Sequence, residues 1–236
     1  QGKRVHAAML DLFGSIETFR SAVGAAKGTI SGVVEFGAVD AIHTNNEFPV
    51  ADAIREFARS APDARINLHV ASPQELLQGL LTGRFHVILT PVNSAAKAID
   101  TRFVFREFQQ LYCSARHPLF NLDGNLITRE MVTRYPFVGR SYETRISPSG
   151  LELTWDSEVS YMESTALMIF SGEFLGYLPD HYAETHVRNG LLRPLDSVDA
   201  GFYDDFYVCT HRSRRNRAAA HFMNLLVKLL RPAQQS

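Results

Sequence analysis

The sequence predicts an α/β protein with mostly parallel strands, and three observations lead there. Strand-like and helix-like patterns alternate from Gly32 onward. The run Phe85 to Thr90 is almost wholly apolar, as a strand buried on both faces should be. The segments between strands carry helix start and stop signals, so the strands are joined by crossover helices and lie parallel, with right-handed connections.

The elements follow in order. Val33 to Val39 reads as a strand, followed by a polar loop from Asp40 to Glu47. Phe48-Pro49 opens a helix whose buried stripe is Val50, Ile54, Phe57 and Ala58, with Pro62 closing it. Ile66, Leu68 and Val70 alternate as a second strand. Ser72-Pro73-Gln74-Glu75 supplies an N-cap, a first-turn proline and a capping-box glutamate. Leu76, Leu77, Leu80 and Leu81 form that helix's apolar face, and Gly83 ends it. The third strand, Phe85 to Thr90, completes a β-α-β-α-β unit.

A second lobe follows the extended stretch Phe103 to Arg116. Tyr135 to Val138 and Val159 to Met162 read as strands there, and a helix over about 164–172 buries Ala166, Leu167, Ile169 and Phe170. Phe174 to Leu178 is the next strand. A polar helix from Asp180 to Arg188 stops at Asn189-Gly190, and Phe202 to Thr210 is a strand able to return to the first lobe. The last helix presents Phe222, Leu225, Leu226 and Leu229. No internal repeat or low-complexity segment is present.

Ahead of this unit, Val5, Met9, Leu12, Ile16, Phe19 and Val23 recur at alternating spacings of four and three. That is the seam of a helix that pairs with another helix. Such a helix, with Gly14 inside it, is marginal alone and needs a partner chain or the body of the protein.

Composition narrows the function classes. The chain has 236 residues, 45% hydrophobic and 21% charged, as in an ordinary folded protein. No apolar run approaches the roughly 18 residues of a membrane span, so no membrane partner is expected. A net charge of −1 argues against a nucleic-acid face. Two cysteines, Cys113 and Cys209, make no disulfide scaffold, and a cytoplasmic setting fits. They form a redox pair only if their strands are neighbours; otherwise they are buried free thiols. No nucleophile elbow, H-E-x-x-H or P-loop occurs, and His181 and His186 are spaced too far round a helix to chelate a metal. The chain is expected to be no enzyme, with no catalytic residues, no metal and no cofactor.

Several stretches together resemble the effector-binding region of LysR-type bacterial transcriptional regulators. They are Gly28-x-Ile30-x-Gly32-Val33-Val34-Glu35-Phe36-Gly37, Phe57-Ala58-x-x-Ala61-Pro62-x-Ala64-x-Ile66-x-Leu68 and Glu75-Leu76-Leu77-x-Gly79-Leu80-Leu81-x-Gly83-Arg84-Phe85-His86-Val87-Ile88. His117-Pro118-Leu119 and Leu175-Gly176-Tyr177-Leu178-Pro179 add to them. The chain departs from the family's usual residues at His86 and at Phe174, where a large ring would stand beside the presumed ligand cleft. The resemblance implies a two-lobe fold like that of type 2 periplasmic binding proteins, preceded by a linker helix. The expected division is a linker over 1–27, lobe I over 28–114 and 210–236, and lobe II over 115–209. It also implies a winged helix-turn-helix ahead of Gln1, through which alone promoter DNA would be bound.

Ligands of open α/β sheets bind beyond the carboxyl ends of strands, near helix N-termini. In lobe I those places hold His43, Thr44 and Asn45, the cap Ser72, and Pro91, Val92 and Asn93. Ser72 serves as a helix cap, as an effector donor, or as both. In lobe II they hold Arg140, Ser141 and Tyr142, then Glu163 and Ser164. Arg140 suits a carboxylate, or else is a solvated loop charge or a salt bridge to lobe I; Glu163 suits a cationic or hydroxylated effector, or simply the helix dipole. Phe202 either lines the pocket or packs in the hinge. The function implied is effector sensing and self-association, as a dimer and, in the full-length regulator, a tetramer. The alternative is a stand-alone solute-binding protein of a transporter, against which the N-terminal seam argues.

Overall fold

The structure is a computed structural model that describes residues 29–91, 96–141, 150–153, 155–214 and 216–230. The N-terminal seam from Val5 to Val23 lies outside the described residues, as do Val92, Asn93 and Tyr142.

Among the described residues nine strands form one sheet: β1 (Ser31–Ala38), β2 (Asp63–Val70), β3 (Val87–Thr90), β4 (Ile99–Ser114), β5 (Phe137–Arg140), β6 (Trp155–Val159), β7 (Leu175–Pro179), β8 (Leu192–Pro194) and β9 (Phe202–His211). Their order is β2-β1-β3-β9-β4-β7-β5-β6, with β8 alongside β4. Parallel pairing joins β1 to β2 and β3, and separately β5 to β6 and β7. The two parallel half-sheets are the cores of two lobes. Between them run β4 and β9, antiparallel to each other over Ile99–His211 to Gln109–Phe202, with a register shift between Phe103 and Phe105. Beyond Gln109, β4 leaves β9 and pairs with β7 and β8. One 16-residue strand therefore belongs to both lobes and makes their hinge.

Helices α1 (Val50–Ser60) and α2 (Pro73–Thr82) are the crossovers of lobe I. In lobe II stand α3 (Arg129–Val132), α4 (Met162–Phe170) and α5 (Asp180–Arg188), and α6 (Arg217–Leu230) returns to lobe I. On one face of lobe I, Phe36, Phe57 and Phe222 meet edge to face, with centroids 5.0 and 5.4 Å apart. On the other, Leu76 and Leu80 of α2 close over Phe85 and Ile88. Lobe II has matching layers, Leu111, Phe137 and Tyr177 on one face and Val138, Ile169 and Leu178 on the other.

Local chemistry places α2. Ser72 and Glu75 form a reciprocal capping box, Pro73 fills the first turn, and Gly83 ends the helix at φ 85°. All four residues of β3 are buried, as its unbroken apolar run requires. Other expectations need correcting. In α1 the buried residue is Ala53, not Ala58, because Ala53 lies on the Val50–Phe57 face. Leu167 is exposed because Ala166 and Ile169 carry the inner face of α4. The strand expected over Val159 to Met162 is instead the end of β6 followed by the first turn of α4. Leu68 and Val70 are also exposed, because β2 is the sheet's edge.

Candidate functional site

The carboxyl ends of β1, β2 and β3 face those of β5, β6 and β7 across the hinge, and residues from both lobes meet there. Asp40, two residues past β1, reaches lobe II, where its Oδ2 accepts the Met162 N–H at 2.5 Å. Met162 begins α4, so a lobe I carboxylate occupies the N-terminus of a lobe II helix, where free N–H groups and the helix dipole favour negative charge. The loop is bent to reach it: Ala41 has φ 62°, left-handed backbone that a residue with a side chain rarely adopts. Burial raises the Asp40 carboxyl above the ordinary carboxylate range, against hydrogen bonds from Met162, its own amide and Glu163, and against nearby Arg140. Desolvation outweighs these stabilising contacts.

Beside this contact runs a buried polar chain. The Arg140 Nη2 donates to Gln109 Oε1 at 3.1 Å, and Gln109 Nε2 donates to Glu107 Oε1 at 2.7 Å. Glu107 Oε2 lies 2.8 Å from His181 Nε2, and His181 Nδ1 lies 2.8 Å from the Thr44 hydroxyl. Arg140, Gln109 and Glu107 are 2%, 1% and 5% exposed, so the guanidinium and carboxylate are held away from water with a neutral amide between them. Such groups persist inside a protein only when their hydrogen bonds are met. The chain starts at the end of β5, crosses the β4 hinge, passes through α5 and ends in the loop after β1.

Two further contacts bridge the lobes. Gln74 Nε2 donates to the Ser141 carbonyl at 3.4 Å, and the Tyr161 hydroxyl donates to Glu75 Oε2 at 3.4 Å. Glu75 Oε2 also accepts from the Ser72 amide and hydroxyl, at 2.9 and 2.8 Å. Ser72 is therefore a capping residue within one carboxylate of lobe II.

The structure thus brings Thr44, Ser72, Arg140 and Ser141 to the walls between the lobes. Glu163 and Ser164 lie in the first turn of α4, beside the Asp40 carboxylate. His43 is exposed on the same loop. Asn45 is buried and uses Oδ1 to accept the Glu47 and Phe48 amides, which holds the loop's shape. Pro91 follows β3 at the same sheet end. Phe202 packs its ring 4.9 Å from Tyr177 in the lobe II core. Sequence reasoning missed Glu107 and Gln109, weighed His181 only as a metal ligand, and gave Asp40 only as the start of the polar loop. Phe174 corrects another expectation: it precedes β7, at the sheet end opposite the cleft, and packs in the lobe II core.

The two cysteines are free and buried. Cys209 pairs in register with Thr101, and Cys113 with Arg193. They are thus separated by the β4 stretch from Thr101 to Cys113, about 40 Å at strand rise, so their strands are neighbours but their thiols are not. Burial pushes both thiols up to about 11. Among the described residues no group of three or more His, Cys, Asp and Glu is placed to hold a metal ion, and no helix is long and apolar enough to cross a membrane.

A family model, the LysR substrate binding domain, matches residues 27–231. The HTH-type transcriptional activator BauR of Pseudomonas aeruginosa is 31% identical over 218 residues, which are 91% of this chain and 71% of that one. Among solved structures, the effector binding domain of QuiR in complex with shikimate superposes with a TM-score of 0.70 at 11% identity, covering 85% of this chain and 97% of that one. The CrgA regulatory domain from Neisseria meningitidis gives 0.65 at 14% identity, covering 85% and 99%. These two share the fold with this chain.

Proposed function

Since the chain belongs to the LysR substrate-binding-domain family, as the effector-binding regulatory region of a LysR-type transcriptional regulator, we propose that its effector binds between the lobes and carries a carboxylate or similar anionic group. The observation that carries this reading is the Asp40 carboxylate at the N-terminus of α4, close to Arg140. It is the chain's own carboxylate in a place built for an anion. An effector anion takes that place, the Asp40 side chain returns to water, and the hydration it lost on burial is recovered. Glu163 and Ser164 share the first turn of α4 with that position, and with Thr44 and Ser141 they are the residues expected to choose among effectors, together with His43, Ser72 and Pro91.

Signalling follows as a population shift. Asp40–Met162, Thr44–His181, Gln74–Ser141 and Tyr161–Glu75 all tie one lobe to the other. A ligand that exchanges one of these ties changes the closure angle only through its differential affinity for the two arrangements. The lobe division expected from the sequence, with 28–114 and 210–236 against 115–209, approximates the two moving bodies, except that Leu111 and Cys113 pack in lobe II and Phe206 and Val208 in lobe I. The altered closure then reaches helix-turn-helix domains bound to promoter DNA, through self-association as a dimer or tetramer by way of the Val5–Val23 seam. A cytoplasmic location and the lack of catalysis belong to the same reading.

The test is a thermal-shift screen of small carboxylates against the chain and its Arg140→Lys and Thr44→Val variants. A carboxylate that binds the native state raises the midpoint as its concentration passes its dissociation constant. The expected result is a hit whose shift shrinks in both variants. A hit that binds both variants as tightly as the native chain would sink the cleft reading.

A further inference from the structure

The opposite end of lobe I holds a second concavity. It lies between the end of β9 and the start of α6, next to His86 ahead of β3 and Asp100 in β4, with a volume of about 590 Å³. That is within the size range of small-molecule sites. Because β9 runs antiparallel to β3, with Val87 opposite Thr210 and Thr90 opposite Tyr207, this concavity and the interlobe cleft open at opposite ends of the same strands.

Its charge is one-sided. Residues 211–217 read His-Arg-Ser-Arg-Arg-Asn-Arg, and from Phe206 to Ser236 the sequence contains no aspartate or glutamate. Arg212, Arg214 and Arg217 line the concavity with His86 and His211, over an apolar floor that includes Ala219 and Met223. Among the described residues none of these three arginines is in an ion pair. The one acid on the rim, Asp100, lies 3.5 Å from Arg102 instead.

One guanidinium is anchored by a hydrogen bond without being neutralised, and a second lies against a helix end. Arg212 Nε donates to the Ile99 carbonyl at 3.1 Å, leaving its terminal nitrogens to other acceptors. Arg214 lies against Gly83 at the carbonyl end of α2, so close that a Cβ there would meet its Nη1 at 1.8 Å. Asn216 fixes the turn, accepting the Ala219 amide at 2.9 Å and donating to the Val33 carbonyl at 3.0 Å. Three exposed arginines without an ion pair around one hollow concentrate positive charge there, which an anion sitting among them offsets. A single carboxylate satisfies one such group. A phosphate, with its higher charge and several acceptor oxygens, satisfies two or three, and the planar guanidinium fork suits it.

We propose that this basic hollow between β9 and α6 is a phosphate-binding site, separate from the interlobe cleft and independent of its effector. The phosphate is either that of a small phosphorylated metabolite or that of a nucleic-acid backbone. β1 begins at this same end, where Asn216 donates to the Val33 carbonyl.

The test titrates two probes at low ionic strength, inorganic pyrophosphate and a short mixed-sequence duplex DNA, against the chain and an Arg212→Gln/Arg217→Gln variant. Arg134→Gln, an exposed arginine of lobe II, controls for mere loss of charge. Binding of pyrophosphate that weakens about tenfold or more in the double variant, but not in the control, assigns the site to a small phosphorylated ligand. Binding of the duplex alone, falling with salt and weakened only in the double variant, assigns it to a backbone. Failure of both probes to bind, or equal binding by all three proteins, overturns the proposal. Both substituted side chains are exposed, so matching melting curves confirm that the variants are folded.

Discussion

At the scale of single residues, His117 shows how burial sets chemistry. The ring is 3% exposed, its Nδ1 accepts the Leu119 amide at 3.1 Å, and it packs 4.6 Å from Tyr135. Its Nε2 is buried with no hydrogen-bond partner among the described residues. Desolvation lowers its pKa from 6.5 to about 4. Between those values the unfolded chain takes up a proton that the folded one refuses. Stability is therefore insensitive to this group above about pH 6.5, falls as pH drops through the window, and levels off below about 4, for a total of roughly 3 kcal/mol at most. His117→Asn keeps a short acceptor for Leu119 but cannot titrate. Denaturant unfolding at a series of pH values should show a shallower loss of stability between neutral pH and pH 4 in the variant, even though its absolute stability is lower. Equal slopes would mean that His117 is protonated in the folded state.

At the scale of elements, the helix α2 and strand β3 unit sets two propensities against each other. Gly79 faces the Phe85 ring, and a Cβ there would lie 2.4 Å and 2.5 Å from ring carbons. Replacing a helical glycine by alanine gains about 1 kcal/mol of propensity, but overpacking a filled core costs roughly 1–3 kcal/mol. Phe85 is 1% exposed and has nowhere to retreat, so Gly79→Ala should lower stability, by up to about 2 kcal/mol. An unfolding midpoint that rises instead would show that the ring can move. The same unit explains which parts of the fold were legible in the sequence. Ser72, Pro73, Glu75 and Gly83 act within one helix, and the burial of β3 is written in four adjacent residues, so both could be read locally. Whether Leu68, Val70, Leu81 or Leu167 is covered depends on what packs against each, and all four are exposed. The three-residue β8 has no pattern of its own and exists because β4 offers it an edge. The site divides in the same way. Thr44, Ser72 and Arg140 could be found because they sit at the ends of recognisable strands and helices. Glu107 and His181, 74 residues apart, become one unit only once the hinge strand and α5 are brought together.

At the scale of the whole molecule, the proposed closure would rest on an uneasy contact. Asp40 is drawn to α4 by its N–H groups and by Arg140, yet burial dominates and raises its pKa. In an open arrangement the same carboxyl would stand in water with an ordinary pKa. The closed form therefore binds a proton more readily, and by linkage acidification through the raised pKa favours closure, while at neutral pH the buried charge opposes it. Two substitutions separate the parts of this argument. Asp40→Asn keeps an acceptor for the Met162 amide and removes the charge, so closure should tighten. Asp40→Ala removes the acceptor and leaves the first turn of α4 uncapped, so closure should loosen. Hydrogen exchange at the Met162 and Glu163 amides reads both outcomes without any effector, since opening exposes these groups to water. Exchange should be slowest in the asparagine variant, intermediate in the native chain and fastest in the alanine variant. As pH is lowered, the native chain should approach the asparagine variant once the intrinsic pH dependence of exchange is removed. If native exchange is slower than that of the asparagine variant at neutral pH, then the charge of Asp40 holds the lobes together. An effector anion would in that case have to overcome a stable contact between Asp40 and α4 instead of relieving a costly one.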